Sequence, residues 1–293
     1  MNTLTVKCSA KINLALDVTG KLPNGYHTIE SVFQTVGLYD EITVTLVPEN
    51  EITVSCDVPE MFGKSDEIPC DERNIAFKSA KLFLDTTGIG GGCHIHIVKG
   101  IPSQAGMGGG SADASAVLYA LNTLTEAGLS SQALADMGAK LGADVPFFFT
   151  GGTAYVSGIG EKITPIADYS GKILVVAKGT EGVSTAVAYG NIDSLDMPPH
   201  PQTAELVRAI ENNSADAYKY FGNLFEEAVK LPEVAHIKSV MTDCGALSAL
   251  MTGSGSAVFG LFDDNETAEK CSQTLAEKGY FSAVCKTVSK SFI

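Results

Sequence analysis

The chain has 293 residues and a formal net charge of −14, from 20 Lys and Arg against 34 Asp and Glu. That length leaves room for about two domains of 100–200 residues each, and 45% apolar with 18% charged residues is a globular rather than a disordered composition. So acidic a chain is not expected to be a general binder of nucleic acid or of anionic membranes, which neutralise phosphates with an excess of Lys and Arg.

The N-terminus alternates: Leu4, Val6, Cys8, Ala10, Ile12, Leu14, Leu16 and Val18 are apolar, one residue in two. A period of two predicts one long bent strand or two short ones, with Lys11 and Asn13 on the face turned away from the core. Pro23-Asn24-Gly25 predicts a turn, and Ile29 to Val36 another strand. Glu41–Leu46 and Glu51–Cys56 alternate around Pro48-Glu49-Asn50 and predict a hairpin. Helical spacing follows from Asn74 to Asp85, then a strand from Cys93 to Lys99. The glycine-rich stretch Gly100 to Asp113 leads directly into a helix striped by Ala114, Val117, Leu118, Leu121 and Leu124. A second helix is capped near Ser130 or Ser131 and stopped by Gly142. Beyond it stand Asp144 and Pro146, then the apolar run Phe147 to Phe149. In the second half, a strand at Ile173–Ala177 precedes helical segments at Thr203–Glu211, Ala215–Lys230 and Glu233–Asp243. Strands at Ala246–Met251 and Ala257–Phe262, a helix at Glu266–Lys278 and a strand at Ser282–Thr287 complete a β-α-β-β-α-β order, that of a ferredoxin-like unit. The boundary is placed near Gly158–Gly160, dividing the chain into domains 1–159 and 160–293.

No run of about 18 apolar residues predicts a membrane span, and residues 1–11 lack the basic-then-apolar pattern of a secretory signal. The seven cysteines are odd in number and include no Cys-x-x-Cys pair, so buried thiols in a reducing cytoplasm are expected rather than disulfides or zinc. His94 and His96 share a strand face but have no third ligand in sequence, so no protein metal site is predicted.

The sharpest local signal is Gly106-Met-Gly-Gly-Gly-Ser111. Residues without Cβ atoms let successive N–H groups turn toward one anion, and the helix that follows adds the positive end of its dipole. Such a nest suits a polyphosphate in a chain whose only arginines are Arg73 and Arg208; a flexible connector is the alternative. It is neither a P-loop nor a dinucleotide fingerprint. Gly63-Lys64-Ser65 has the tail of a P-loop without its first glycine. Thr252-Gly253-Ser254-Gly255-Ser256 reads alone as a hairpin turn. Asp144 is a turn former or a site group, Lys11 a solvated lysine or a site group, and Tyr26, His27 and Tyr189 are stacking groups or packing.

Three segments in order resemble the GHMP kinases: Ala10-Lys11-Ile12-Asn13-Leu14, then Pro102-x3-Gly106-Met-Gly-Gly-Gly-Ser-Ala-Asp-Ala114, then Met251-Thr-Gly-Ser-Gly-Ser-Ala257. Asn24-Gly-Tyr-His27-x3-Ser31-Val-Phe-Gln34 and Gly142-Ala-Asp-Val-Pro-Phe-Phe148 bring the chain closest to the members that act on a cytidine diphosphate-linked methylerythritol in non-mevalonate isoprenoid synthesis. The resemblance covers essentially the whole chain. It departs from the family pattern at Met107, usually Leu, and at Ala112, usually Ser. It implies a two-domain α+β fold, an N-terminal α/β domain with a left-handed β-α-β crossover and a C-terminal ferredoxin-like domain. It also implies ATP and Mg²⁺, with the triphosphate held by Pro102, Ser103, Gln104, Ala105, Gly106, Met107, Gly108, Gly109, Gly110, Ser111 and Ala112. Asp144 would orient or deprotonate the acceptor alcohol, with Lys11 beside it stabilising charge. His27 would hydrogen-bond the cytosine edge, Tyr26 and Tyr189 would offer aromatic faces, and Asn13 would bind substrate near the reacting end. A monomer or weak homodimer with a small-molecule substrate, and neither nucleic acid nor membrane as partner, is the corresponding expectation.

Overall fold

A computed structural model describes residues 2–62 and 68–293; the Gly63-Lys64-Ser65 segment lies outside the described residues. The N-terminal alternation forms a single strand β1 (Thr3–Lys21), paired antiparallel with the equally long β2 (His27–Val47). Register shifts at Ser9/Ala10, Asn13/Ala15 and Val18/Gly20 bend the ribbon, so one long strand serves where two short ones could have stood. Val6, Cys8, Ala10, Ile12, Leu14 and Leu16 are buried as the period requires. The polar face is buried as well: Ser9, Lys11, Asn13 and Asp17 are 0–7% exposed, which corrects the expectation that Lys11 and Asn13 leave the protein interior. Other parts of the chain cover that face.

The expected hairpin at Pro48-Glu49-Asn50 does not form. Strand β3 (Ile52–Asp57) pairs in parallel with β4 (Gly92–Val98), and β4 pairs antiparallel with β2, so β4 lies between the two. Glycines at the start of β4 permit the wedge. A Cβ on Gly92 would stand 1.9 Å from the Glu51 carbonyl oxygen, and one on Gly91 2.8 Å from that of Val47. Between β3 and β4 runs α1 (Ile75–Thr87), begun by the Asn74 side chain accepting from the Ala76 N–H and ended by Gly88 in the left-handed conformation. Helices α2 (Gly109–Leu124) and α3 (Ser131–Gly138) follow, the latter capped by Ser130 as expected. Then come the short α4 (Phe147–Thr150) and the hairpin β5 (Thr153–Ser157) to β6 (Lys162–Pro165), which extends the large sheet from β2.

The second half supplies a four-stranded antiparallel sheet. Its strand β7 (Ile173–Lys178) is followed by α5 (Thr185–Ile192), α6 (Thr203–Glu211), a 3-10 turn at Ala217–Tyr220, the two-residue β8 (Gly222–Asn223) and α7 (Phe225–Ala228). Next are α8 (Pro232–Asp243), β9 (Ser248–Met251), β10 (Val258–Phe262), α9 (Asn265–Glu277) and β11 (Phe281–Lys286). The order β11-β7-β10-β9 is that of the expected ferredoxin-like unit. The single helix expected over Ala215–Lys230 is broken, because Gly222 and Asn223 leave it to pair in parallel with Ala15 and Leu16 of β1. No apolar stripe announces α5, whose small residues bury little beyond Ala188. No helix among the described residues is long and apolar enough to cross a membrane.

One feature organises the rest. Strand β1 has β2 on one edge, and its other edge is capped in turn by four distant segments. Lys7 exchanges backbone hydrogen bonds with Ile293, Ser9 donates to Ser291, Lys11 donates to Met107, and Leu224 donates to Leu16 beyond the β8 pairing. Between these, the Asn13 N–H donates to the Thr252 hydroxyl at 3.0 Å. An edge that would otherwise offer unpaired N–H and C=O groups gathers the glycine-rich stretch and the second half of the chain around Lys11 and Asn13.

Candidate active site

Every site residue expected from sequence except Ala112 lines one cleft of about 1210 Å³. Ala112 is fully buried behind it. A cleft that size exceeds the 300–1,000 Å³ usual for a single small ligand and has room for two.

The glycine stretch is held from both ends. Gly100 and Ile101 donate their N–H groups to one oxygen of the Asp40 carboxylate, at 2.7 and 2.8 Å. The other Asp40 oxygen contacts the Lys99 ammonium, which also donates to Asp113 at 2.9 Å. Lys99, Asp40 and Asp113 are all buried. Burial, then the Asp113 charge, pushes the Asp40 carboxyl up to about 8 against the opposing pull of Lys99. Burial opposes charge on Lys99, but the two carboxylates outweigh it and hold the ammonium above its usual range. This cluster escaped the sequence reading. The readable signal was a carboxylate at position 113, four residues before Val117 on the buried stripe.

Further along, Gln104, Gly106 and Gly108 take positive φ of 49°, 72° and 71°. Gly106 has no room for a side chain, since a Cβ would lie 2.2 Å from the Thr252 carbonyl oxygen. The first intrahelical bond of α2 runs from the Ala112 N–H to the Gly108 carbonyl. The amides of Gly109, Gly110 and Ser111 therefore precede the helical ladder at the positive end of a 16-residue helix. Asp113, one turn in, is turned onto Lys99 and away from this end. The arrangement suits an anion.

Lys11 lies against this loop, its backbone N–H donating to the Met107 carbonyl. Its stem packs so closely on Gly108 that a Cβ there would come within 3.0 Å, and its ammonium stands 4.5 Å over the Phe33 ring. It donates to Asn13 Oδ1 at 2.8 Å and lies 3.5 Å from Asp144 Oδ2. Asp144 closes a turn and also faces the cleft. Its carbonyl accepts from the Phe147 N–H in the turn after α3, while its carboxylate, 33% exposed, faces the cleft beside Lys11. Asn13 is more engaged than expected. Oδ1 accepts from Lys11 and from the Gly253 N–H at 3.0 Å, and Nδ2 donates to Ser31, leaving one amide hydrogen for a substrate.

At the far end, His27 begins β2 and stacks on Tyr189 of α5 with centroids 4.7 Å apart and planes 19° from parallel. Tyr189 in turn meets the Phe225 edge at 4.9 Å. Burial, and secondarily the Asp144 charge, pushes the Tyr189 hydroxyl up to about 12, so it stays neutral. Because His27 covers one face of Tyr189, those two rings form a single platform, and Tyr26, 61% exposed, is the free aromatic face. Asp193, at the end of α5, was not foreseen. It lies 2.7 Å from His27 Nε2 and 2.5 Å from the Lys21 ammonium. Those two hydrogen bonds hold its carboxyl below the usual range. His94 and His96 pair with the hydroxyls of Thr53 and Ser55, and among the described residues no three His, Cys, Asp or Glu side chains cluster as metal ligands.

The domain family described as GHMP kinases N terminal domain matches residues 74–152, and that described as GHMP kinases C terminal matches residues 200–280. Similar chains include a 4-diphosphocytidyl-2-C-methyl-D-erythritol kinase of Clostridium botulinum (strain Eklund 17B), 41% identical over 97% of this chain and 100% of that one. Another of the same name from Clostridium perfringens is 41% identical over 96% of each chain. Among solved structures, a 4-(cytidine 5'-diphospho)-2C-methyl-D-erythritol kinase superposes with a TM-score of 0.79 at 28% identity, covering 97% of this chain and 98% of that one.

Proposed function

The chain belongs to the GHMP kinase family, and from that premise we propose that it transfers the γ-phosphoryl group of ATP to the 2-hydroxyl of 4-diphosphocytidyl-2-C-methyl-D-erythritol. The observation that carries the reading is the Lys11–Asp144 pair at 3.5 Å. It stands in one cleft with the amide nest on one side and the His27–Tyr189 platform on the other. The names of the 41% identical relatives support the same acceptor.

Phosphoryl transfer depends on positioning and charge stabilisation more than on covalent chemistry. The triphosphate rests against the loop N–H groups from Ser103 to Ser111 and the start of α2, with Ile68, Pro69, Ile75 and Pro102 as the apolar wall for the adenine. Asp144 receives the hydrogen bond of the acceptor hydroxyl, aims its oxygen at the γ-phosphorus and accepts the proton as the new P–O bond forms. The Lys11 ammonium stabilises negative charge on the transferring group. Mg²⁺ bound with the triphosphate would supply positive charge to offset that of the phosphates. The lack of a three-ligand side-chain cluster among the described residues fits a metal held chiefly through phosphate oxygens and water, with the Ser111 hydroxyl as the protein oxygen on offer. The cytosine lies on Tyr26 against the His27 edge, and Asp193 and Lys21 hold His27 in place.

ADP release should be measured against the cytidyl substrate, mevalonate, homoserine and galactose. The cytidyl alcohol should lead in kcat/KM by at least about 100-fold, since a buried recognition group left unpaired by the others costs that much; equal turnover of any other alcohol rejects the assigned acceptor. His27→Ala should raise KM for the cytidyl alcohol about tenfold, a lost hydrogen bond plus stacking, with KM for ATP unchanged. A rise for ATP alone would mean the base site has been placed at the wrong end of the cleft.

A further inference from the structure

The Lys11 ammonium is nearer to Asn13 Oδ1, at 2.8 Å, than to Asp144, at 3.5 Å. The amide therefore sets the lysine's position and leaves the Asp144 oxygens open toward the cleft. What sets the amide comes from the other half of the chain. The Gly253 N–H and the Lys11 ammonium can only donate, so the atom both face is the amide oxygen, and Nδ2 falls to the Ser31 hydroxyl. The Thr252 hydroxyl accepts from the Asn13 N–H at 3.0 Å and lies 3.3 Å from Oδ1. Thr252 is fully buried and so acts without touching a ligand in the cleft.

Its own placement is rigid. The Thr252 N–H donates to the Ala257 carbonyl, and its carbonyl accepts from the Gly255 N–H. Asn223 donates through Nδ2 to the Met251 and Gly253 carbonyls at 2.7 and 2.8 Å. The Ala257 N–H donates to the Ala105 carbonyl, so the same turn also props the glycine loop.

We propose that Thr252 is a positioning residue for the transfer, fixing the Lys11 ammonium beside Asp144 through the Asn13 amide. The inference rests on the kinase reading above. Without the hydroxyl, Asn13 loses its backbone bond to Thr252 and the 3.3 Å contact at Oδ1, keeping only Gly253 and Ser31 on its carboxamide; a carboxamide that shifts takes the lysine ammonium with it, and a misplacement of about 1 Å at a reacting centre costs up to about 10²-fold in rate.

The test is steady-state kinetics of Thr252→Val and Thr252→Ser. The valine variant should lose about 10- to 100-fold in kcat, with KM for both ATP and the cytidyl alcohol within about twofold, the signature of an interaction felt in the transition state. Serine, which restores the hydroxyl, should return kcat to within about threefold of the parent protein. An unchanged kcat in the valine variant, a loss expressed in KM, or failure of serine to rescue overturns the proposal. If the valine protein does not fold, Asn13→Ala removes the carboxamide through which Thr252 would act: a kcat loss with both KM values steady supports the relay, whereas a raised KM for the alcohol makes Asn13 a substrate ligand and rejects it. Should the parent protein ignore the cytidyl alcohol, the acceptor assignment fails first, and the Thr252 comparison is made on the alcohol it does accept, which separates the two failures.

Discussion

Asp144→Asn should lower kcat by about 10²–10⁴-fold, the range for loss of a positioned proton acceptor, while ATP binds as before. Asparagine has the same shape, and the turn that Asp144 closes uses its carbonyl rather than its side chain, so the fold has no reason to change. The amide oxygen can still face Lys11, but the remaining NH2 group cannot accept a proton from the acceptor hydroxyl. Turnover measured by ADP release, with calorimetric titration of a nonhydrolysable ATP analogue alongside, separates chemistry from binding. A rate equal to that of the parent protein removes Asp144 from the reacting centre.

Lys99→Met is expected to have the largest effect on stability. It leaves the buried carboxylates of Asp40 and Asp113 facing one another without their shared cation, and removing one partner of a buried charge cluster costs about 3–5 kcal/mol. The pH dependence has a definite sign. With its carboxyl pushed up to about 8, folded Asp40 keeps a proton that the unfolded chain has released above about 4. The folded state thus binds more protons in that window, and stability falls as pH rises through it. Removing Lys99 takes away the one charge opposing that shift, so the penalty should be larger at pH 8 than at pH 5.5 in urea denaturation. A penalty under about 1 kcal/mol, or one that does not change with pH, contradicts this account. Because Asp40 also anchors the Gly100 and Ile101 amides, the folded fraction of the variant should bind ATP more weakly.

Much of this site was legible before the fold. Alternation from Leu4 to Val18, the glycine run before a striped helix, and Asp144 after a helix stop are local patterns, and local patterns survive folding. What the chain did not disclose is what long-range pairing decides. Asn13 and Thr252 meet across 239 positions, and no periodicity announces it. The expected hairpin at Pro48-Glu49-Asn50 failed because β4, some 40 residues later in the chain, wedges between its arms. The helix expected over Ala215–Lys230 failed because β1 recruits Gly222 and Asn223. Lys99, Asp40 and Asp113 look like ordinary solvated charges until a tertiary contact buries them together, and the polar face of β1 looks exposed until the rest of the fold buries it.

That covered edge also orders events in time. Lys11 emerges early from the ribosome, yet Met107, Thr252, Ser291 and Ile293, which close the edge beside it, are made progressively later. For most of translation the nascent strand carries an open hydrogen-bonding margin of the kind that invites mispairing. The edge beside Lys11 therefore stays incomplete until Thr252 and residues 291–293 have been made, and products cut short before Thr252 should be inert and sticky rather than partly active.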